Sequence, residues 1–253
     1  KPDSINLQSL DEKLETLKEI GLDIVLIIPF DKEFSLMSAQ MFADTVLKDL
    51  FNPTLISVGT NHYFGHKKEG DFEFLKAFCS DNNIELHTPV MREHMGSTIS
   101  SSLIRSLILD GNSSKVYDYL GRFYGFNATV VSGSNRGKTM NYPTANFIPT
   151  FENQLLPSTG VYLTRVFLDG ECYFGMMNAG VRPTFNEKKF VMEVHILSDK
   201  FGHLYDKNFY IEFLDKIRDE KKFDSKELLI KQIEKDKEVC IELIDTFKEK
   251  YEI

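Results

Sequence analysis

Residues 132–147 read SGSNRGKTMNYPTANF and directly follow a β-branched run at residues 128–131. Gly133 and Gly137 allow the backbone to turn through conformations that other residues avoid, so that amide N–H groups can face an anion. Lys138 adds a positive charge beside them. The first half of the stretch therefore predicts a loop that cradles a phosphate, with an ordinary turn as the open alternative.

The second half of the stretch places two oxygen-bearing side chains on one side of a predicted strand. Pro143 fixes an extended chain, and Thr144 and Asn146, two positions apart, point to the same side. A hydroxyl and an amide oxygen suit Mg²⁺, which prefers oxygen ligands and retains much of its water. The pair therefore predicts a metal site, unless the two side chains only satisfy backbone groups.

The stretch also resembles a Walker A loop, since a strand and glycines precede the tripeptide Gly-Lys-Thr that starts at Gly137. The first glycine of that motif would fall at position 132, which is a serine. A helix must also begin right after the lysine, whereas Pro143 favours an extended chain before it. The sequence therefore does not predict a Walker A loop.

The composition of the chain is typical of a globular protein with two domains. The 253 residues are 42% hydrophobic and 27% charged, with no membrane-length apolar run and no apolar signal segment. The three cysteines, Cys79, Cys172 and Cys240, lie far apart, which indicates buried, reduced thiols. The formal charge of -8 argues against a nucleic-acid partner. We therefore expect a cytoplasmic protein with neither nucleic acid nor membrane as partner.

Predicted helices and strands alternate through residues 1–121. A capping box from Ser9 to Glu12 begins a helix that Gly21 ends. The apolar run at residues 24–28 predicts a strand buried on both faces, as in a parallel sheet. Further elements follow in order: a helix capped by Ser38 with Met41, Phe42, Val46 and Leu50 inward, a strand at residues 55–58, a helix capped by Asp71 and a strand at residues 84–86. This alternation predicts a doubly wound α/β domain.

Two loops of this domain are candidate ligand sites. Ligands of such sheets bind beyond the carboxyl ends of the strands, which here includes residues 59–66, GTNHYFGH. His62 and His66 suggest a metal, but Gly65 opposes a helix that would align them, so we interpret them as loop histidines. The second candidate is the helix start at residues 100–105, where hydroxyls meet free N–H groups that can bind phosphate. Simple capping by serine is the alternative.

The pattern changes to strands and turns after a helix that ends near Gly121. The clearest hairpin joins residues 161–168 to residues 171–177 through Asp-Gly, which accepts the positive φ angles of a tight turn. Further strands are predicted at residues 190–197 and 209–214. About six strands of this length are expected to close into a small barrel.

A last helix follows the predicted strands. Asp224 and Glu227 are expected to cap it. The apolar residues at helical spacing are Leu229, Ile233, Cys240, Leu243 and Phe247. We expect this face to pack on the barrel as a lid.

Glu193 lies in one of the predicted strands. Alternation places Glu193 on one face with Val191 and His195, and the apolar residues 192, 194 and 196 on the other. If the second face is the core, Glu193 is merely solvated. If Glu193 faces the phosphate loop, it is a carboxylate poised to act as a base. Both interpretations stay open on the pattern alone.

Five short segments resemble, in order and spacing, the riboflavin kinase module of the bacterial bifunctional riboflavin kinase and FAD synthetase family. They are RGKTMNYPTANF, STGVY, NAGVRPTF, MEVHIL and IRDEKKFDS. Residues 59–71 and 99–105 resemble two motifs of the FMN adenylyltransferase module of the same family. The resemblance implies a Rossmann-like nucleotidyltransferase domain at residues 1–121, incomplete at its N-terminus, followed at residues 122–253 by a six-stranded flavokinase β-barrel with a C-terminal helix.

The resemblance also implies roles for residues of the second domain. Thr144 and Asn146 hold Mg²⁺ and the ATP phosphates in this assignment, and Glu193 is the catalytic base that takes a proton from the ribityl 5′-hydroxyl of riboflavin. The implied ATP-binding loop contains Gly133, Gly137 and Lys138. The implied flavin-binding residues are Arg182, Arg218 and Glu220, with residues 217–223 as a mobile flap in which Arg218 stacks on a flat ring or pairs with a carboxylate.

In the first domain the resemblance implies a nucleotide-binding set and also shows departures from the family. The set is Gly59, Asn61, Phe64, Gly65, Ser100, Ser101, Ser102 and Arg105. The family's HxGH motif, which handles the ATP phosphates, does not occur in the sequence, Asn61 replaces the usual Asp, and Ser102 replaces the usual Thr. Either an amino-terminal stretch is missing or this module is degenerate, so we expect no FAD from FMN and ATP.

Two functions are compatible with these observations. The first is an ATP- and Mg²⁺-dependent riboflavin kinase that makes FMN and ADP, with adenylylation of FMN to FAD as a second activity of the complete protein. The second is a non-catalytic flavin- or nucleotide-binding regulatory module with the same fold. The joint presence of Thr144, Asn146 and Glu193 favours the enzyme, because phosphoryl transfer needs a metal, positioning and charge neutralisation, whereas a binding module does not need this set.

Overall fold

The computed structural model describes residues 5–90, 93–94, 96–132, 142–183, 188–198 and 207–251. The chain divides into two compact units, Leu22–Ile99 and a second unit that combines Lys1–Gly21 with Ser100–Ile253. The domain boundary predicted after residue 121 stays a prediction. The division into compact units falls elsewhere, because helices that precede residue 121 belong to the same unit as the barrel.

Helix α1, Leu10–Glu19, belongs to the second unit and begins with the predicted capping box. Ser9 Oγ accepts a hydrogen bond from Glu12 N, and the Glu12 carboxylate accepts one from Ser9 N. The other oxygen of Glu12 accepts hydrogen bonds of 2.8 and 3.0 Å from the backbone and side-chain nitrogens of Asn127. Glu12 thus caps its own helix and fixes it to the unit that contains the barrel.

The unit Leu22–Ile99 consists of short helices and two small sheets. Its helices are α2 (Lys32–Ser35), α3 (Ala39–Phe42), which continues as a π-helix (Ala43–Phe51), a 3₁₀ turn (His66–Lys68) and α4 (Phe72–Asp81). Its strands are β1 (Leu55–Ser57) paired parallel to β2 (Glu85–His87), and β3 (Glu93–His94) paired antiparallel to β4 (Ser97–Thr98). The predicted caps are confirmed, because Ser38 Oγ accepts from Met41 N and Asp71 Oδ1 from Phe74 N.

The apolar run at residues 24–28 forms no strand, so this prediction is wrong. Within the described part of the unit, the parallel pair is β1 with β2, and the run pairs with neither. Four of its five side chains are exposed, with Ile24 77% and Ile27 53% accessible, and Ile28 is partly exposed. Met41 and Leu50, expected to point inward, are exposed as well. A strand buried on both faces needs hydrogen-bonding neighbours and covering layers, which an apolar run does not itself supply.

Six antiparallel strands of the described chain close into a barrel, as predicted. They are β5 (Tyr124–Val131), β6 (Ala145–Pro149), β7 (Gly160–Leu168), β8 (Glu171–Pro183), β9 (Lys188–Ile196) and β10 (Asn208–Arg218). The order around the barrel is β10–β5–β6–β9–β8–β7. The predicted turn joins β7 to β8, with φ angles of 53° at Asp169 and 83° at Gly170. Closure leaves no free strand edge.

The barrel interior is filled by large apolar side chains. Fully buried members include Phe126, Phe147, Met177, Val194, Ile211 and Phe213. On β9 the buried residues are Met192, Val194 and Ile196, and the residues between them are partly exposed. The predicted alternation of β9 is therefore confirmed, and Glu193 lies on the outer face of the barrel.

Three helices complete this unit: α5 (Ser101–Leu109), α6 (Ser113–Leu120) and α7 (Lys226–Tyr251). Cys240 and Phe247 of α7 are buried in one apolar cluster with Phe123, Val161, Leu163, Met176 and Leu214, so α7 packs on the barrel as expected. Ser225, rather than the predicted Asp224, caps α7, since Ser225 Oγ accepts from Leu228 N. A hydroxyl one residue closer reaches the free amide directly. No described helix is both long enough and apolar enough to cross a membrane.

The three thiols differ in exposure. Cys79 and Cys240 are buried as expected, whereas Cys172 is exposed, so the prediction of three buried thiols is wrong at this position. Cys172 follows the β7–β8 turn, where the hairpin meets solvent. Burial, together with the nearby charge of Asp236, raises the pKa of Cys240 to about 12.

Candidate active site

Three polar residues lie on one rung of the outer barrel face. Asn146 of β6 is paired with Glu193 of β9, and Glu193 is paired with Asn178 of β8. Directly paired residues of neighbouring strands project from the same face, with Cβ atoms about 4.5–5.5 Å apart. The structure thus brings the predicted residues Asn146 and Glu193 together and adds Asn178. Asn178 is not among the residues predicted from the sequence, although it begins the segment NAGVRPTF.

Thr144 lies beside this rung. Its Oγ1 is 3.5 Å from Oε2 of Glu193, so the hydroxyl points toward the carboxylate at the outer limit of a hydrogen bond. Thr144, Asn146 and Glu193 are all partly buried. A hydroxyl, an amide oxygen and a carboxylate are the ligand types that suit Mg²⁺, which is completed by waters and substrate phosphates. The side chains at this site therefore fit the predicted ion.

His195 fixes the chain just before Thr144. Its Nδ1 donates a hydrogen bond of 2.9 Å to the carbonyl oxygen of Pro143, which can only accept. The ring also meets that of Tyr142 edge to face, at 5.5 Å and 73°. Burial lowers the pKa of His195, and the bond to Pro143 partly opposes this shift. A neutral imidazole is therefore favoured in the position that holds the start of β6 against β9.

Glu220 lies close to the same rung. A Cβ atom on Gly180 would be 2.5 Å from Oε1 of Glu220 and 3.4 Å from Nδ2 of Asn178. The Glu220 carboxylate therefore rests on the backbone of Gly180, beside the Asn178 amide. Only a residue without a side chain leaves this position free.

Arg218, the last residue of β10, is bound by Asp236 of α7. Arg218 Nε is 2.9 and 3.0 Å from the two Asp236 oxygens, and Nη2 is 2.7 Å from Oδ2. Nη1 donates to the Asp219 carbonyl at 2.9 Å, and the guanidinium lies 5.8 Å from the centre of the Phe223 ring. Both kinds of partner expected for Arg218 are therefore present, a carboxylate in Asp236 and a flat ring in Phe223. Flavin binding by Arg218 and Glu220 stays a prediction.

Several predicted kinase residues fall outside the described part of the chain. Gly133, Gly137 and Lys138 are not among the described residues. The backbone of Arg182 lies on β8, paired with Lys189, but its side chain is likewise outside the description. The phosphate loop and the flavin contact of Arg182 therefore stay predictions.

In the unit Leu22–Ile99, the predicted loop at residues 59–66 follows β1. Gly65 has a φ angle of 73°, and a Cβ there would lie 2.5 Å from Ala39 N, so this position requires glycine. Phe64 packs against Phe42 and Phe74, with ring centres 5.5 and 5.7 Å apart. These contacts hold the loop on the helices, while Gly59 and Asn61 are exposed.

The histidines of this loop have ordinary loop contacts. His66 Nδ1 donates to the Ser35 carbonyl at 3.2 Å, and His66 N donates to the Met37 carbonyl at 2.8 Å. The ring of His62 stacks on Phe64 at 6.2 Å. These contacts agree with the interpretation of both residues as loop histidines.

The second predicted nucleotide loop starts helix α5 in the barrel unit. Ser100 Oγ accepts a hydrogen bond of 3.2 Å from Leu103 N, so Ser100 is the N-cap. Ser101 and Ser102 are exposed and Arg105 is partly buried. Capping, the alternative drawn from the sequence, is therefore present. The assignment of these residues and of Gly59, Asn61, Phe64 and Gly65 to one nucleotide site stays a prediction.

Comparisons with known proteins agree with this geometry. A riboflavin kinase family model matches residues 120–244, and an FAD synthetase family model matches residues 1–103. The bifunctional riboflavin kinase/FMN adenylyltransferase of Listeria monocytogenes is 33% identical over 233 residues, which is 92% of this chain and 73% of that protein. The protein of the same name from Haemophilus influenzae is 32% identical over 241 residues, 92% of this chain and 75% of that protein.

A solved structure is also similar over most of the chain. It is described as a macrolide-efflux protein from Streptococcus pneumoniae, has 32% sequence identity and a TM-score of 0.84, and the match covers 92% of this chain and 75% of that one. The barrel and the two family models define the class, a flavokinase barrel preceded by an FAD synthetase domain. The chain belongs to the bifunctional riboflavin kinase/FMN adenylyltransferase family, as the sequence resemblance implied.

Proposed function

We propose that this protein phosphorylates riboflavin to FMN at the outer face of the barrel, with ATP as phosphoryl donor and ADP as second product. The observation that carries this proposal is the rung that pairs Asn146 with Glu193, with Thr144 Oγ1 3.5 Å from the Glu193 carboxylate. Three oxygen-bearing side chains of different chemistry meet there, on a barrel that matches the riboflavin kinase family model.

Glu193 is the general base in this proposal. It accepts the proton of the ribityl 5′-hydroxyl while that oxygen bonds to the γ-phosphorus of ATP. The bond from this phosphorus to the β–γ bridging oxygen breaks, and ADP leaves with the electron pair. The Glu193 carboxylate lies on the outer face of the barrel, partly buried beside Thr144, which is where this proposal places both substrates.

Thr144 and Asn146 hold Mg²⁺ and the ATP phosphates in this proposal. The ion supplies charge neutralisation when it is bound. Gly133, Gly137 and Lys138 cradle the remaining phosphates, and Arg182, Arg218 and Glu220 contact the flavin. The side chains of Thr144 and Asn146 also orient the γ-phosphoryl group relative to Glu193, because Asn146 is paired with Glu193 and Thr144, just before β6, points its hydroxyl toward the same carboxylate.

We further propose that adenylylation of FMN to FAD is the second activity of the protein when the family's HxGH motif is present, and that this 253-residue chain, which lacks the motif, forms no FAD from FMN and ATP. The match of residues 1–103 to the FAD synthetase family model supports the second activity, as do the relatives that carry both activities in their names. The proposed nucleotide-binding residues are Gly59, Asn61, Phe64, Gly65, Ser100, Ser101, Ser102 and Arg105. The expected ligands are thus riboflavin, FMN, ATP, ADP and FAD, in a cytoplasmic enzyme that binds no nucleic acid.

The test is to incubate the protein with riboflavin, ATP and Mg²⁺ and to separate the flavins by chromatography. FMN is expected, and replacement of Mg²⁺ by EDTA should abolish its formation. FMN as substrate, with ATP, tests FAD formation separately. If riboflavin binds, as measured by its fluorescence, but no FMN forms under any metal condition, the protein is the non-catalytic binding module instead.

A further inference from the structure

Asp236 combines burial with a full charge and has no role in the proposed chemistry. It lies on α7 and is 3% exposed. Within the described part of the chain, it is the only Asp, Glu, Lys or Arg residue that is buried. A carboxylate taken out of water is costly unless it is paired and hydrogen-bonded. Such a residue therefore depends on partners that are held in a fixed geometry.

Those partners are Arg218 and Gln232. Arg218 offers Nε and Nη2 to the two oxygens of Asp236, and Gln232 Nε2 donates to Oδ1 at 2.8 Å. The planar guanidinium makes this pair directional, in a way that a lysine cannot reproduce. The third nitrogen, Nη1, reaches the Asp219 carbonyl. The ion pair thus fixes both the end of β10 and the peptide that follows it.

The fixed peptide leads directly to the candidate active site. Glu220 is the next residue, and its carboxylate rests on Gly180 beside the Asn178 amide. Asn178 is paired with Glu193 across the sheet. A continuous set of contacts therefore runs from the buried Asp236 to the rung that holds the proposed base.

We propose that Asp236 is a positioning residue for riboflavin phosphorylation. Through Arg218 it fixes residues 219–225, so that Glu220 stays against Gly180 at the side of the Glu193 rung. This inference rests on the proposed kinase function and deepens it. It states that Asp236, on α7, holds Glu220 in the position from which Glu220 is proposed to contact the flavin.

The chain contains a matched control. Arg165 of β7 and Glu212 of β10 form another arginine–carboxylate pair, with Nε 2.9 Å from Oε2 and side chains 14% and 13% exposed. This pair joins two neighbouring barrel strands, whereas β6, β8 and β9 carry the rung. Its removal should therefore disturb an ion pair of similar burial without moving Glu220.

The first experiment compares Asp236→Asn with Glu212→Gln. Each amide keeps the size of the carboxylate and one oxygen that can accept from the arginine, and Arg218, which is itself proposed to contact the flavin, stays in place. We expect Asp236→Asn to lose roughly 10- to 100-fold in kcat/KM for riboflavin, with KM raised, because small displacements of a positioning group have effects of this size. The amides of residues 219–225 should also exchange faster with solvent. The control should change neither quantity by more than about twofold.

The second experiment moves Glu220 without touching the ion pair. Gly180→Ala places a methyl group against the end of the Glu220 side chain, which is flexible and can shift without unfolding the protein. We expect a higher KM for riboflavin in Gly180→Ala and in Glu220→Ala, and no further increase when the two are combined, because both act through the same carboxylate.

The outcomes separate this inference from the proposed function. A folded Asp236→Asn variant with unchanged KM, kcat and amide exchange would reduce Asp236 to a purely structural residue. If the substitutions at Gly180 and Glu220 had additive effects, the Glu220 carboxylate would not act through its contact with Gly180. If the wild-type protein made no FMN, the proposed function would fail, and equal amide exchange in Asp236→Asn and Glu212→Gln would overturn the positioning role independently.

Discussion

Strand β9 shows the same backbone serving two purposes on its two faces. Met192 and Val194 point into the barrel and are buried among aromatic and aliphatic side chains. Glu193, between them, points outward to Asn146 and Asn178. The inner face has its partners inside one packed core, whereas the outer face meets polar groups from three strands. Substitutions one residue apart should therefore affect different properties, one the stability of the fold and the other the chemistry.

The largest effect is expected on the outer face. Glu193→Gln keeps the shape of the side chain but cannot accept the proton of the attacking hydroxyl, so kcat for FMN formation should fall roughly 10²- to 10⁴-fold. Riboflavin and ATP binding, followed by flavin fluorescence and calorimetry, and the melting temperature should stay near wild-type values. A variant within a few-fold of wild-type turnover would remove Glu193 from the mechanism.

The complementary change is Met192→Ala on the inner face. Loss of a buried methionine leaves a cavity, so the free energy of unfolding should decrease by about 2–5 kcal/mol. Denaturant unfolding measures this loss, and kcat of the folded protein at 25 °C should stay close to wild type. Val191→Ala, on the outer face of the same strand, is the control and should cost clearly less. Equal stability losses at both positions would contradict the assignment of the two faces.

A smaller effect is expected for the two oxygen-bearing side chains at the start of β6. Thr144→Val and Asn146→Leu each remove one oxygen that the proposed ion or the phosphates contact. Activity at limiting Mg²⁺ should fall by roughly tenfold or more, since even outer partners of metal sites have effects of this size. A Mg²⁺ titration of FMN formation measures the change. If both variants gave wild-type Mg²⁺ titration curves, Thr144 and Asn146 would not contact the ion. The two side chains would then only satisfy backbone groups at the start of the strand.

The smallest effect concerns pH and His195. Burial lowers the pKa of His195 in the folded protein, so the unfolded chain binds the proton more readily. The contribution of His195 to folding stability should therefore be complete above the ordinary histidine pKa of 6.5 and decrease as the pH falls below it. The melting temperature of wild type, compared with His195→Gln, should show a difference that shrinks between neutral pH and pH of about 5. A constant difference would show that His195 does not titrate differently in the two states.

The barrel and the outer face were predictable because their signals are local. Alternation along β9 and the Asp169–Gly170 turn depend on neighbouring residues, and both predictions are confirmed. The joint position of Thr144 and Glu193 was implied by the family resemblance, because the pairing of β6 with β9 joins residues that are far apart in the sequence. Alternation shows which face a residue occupies but not which strand lies beside it.

Other features could not be read from the sequence, for physical reasons. The run at residues 24–28 has the composition of a buried strand, but burial depends on partners that composition does not reveal. Arg218 and Asp236 lie 18 residues apart on different elements, and two charged residues in a charged segment look alike whether paired or solvated. Gly180 carries no side chain to signal that Glu220 rests on its backbone.

Glu12 takes part both in the capping of a local helix and in a tertiary contact with the barrel. One of its oxygens completes the capping box of α1, and the other bonds to Asn127, 115 residues away. A ten-residue helix is marginal in water because its nucleation is unfavourable, so α1 gains much of its persistence from the barrel. The capping group and the tertiary anchor are the same carboxylate. Nucleation of the first helix is therefore coupled to formation of β5, and the two should form and melt as one cooperative step.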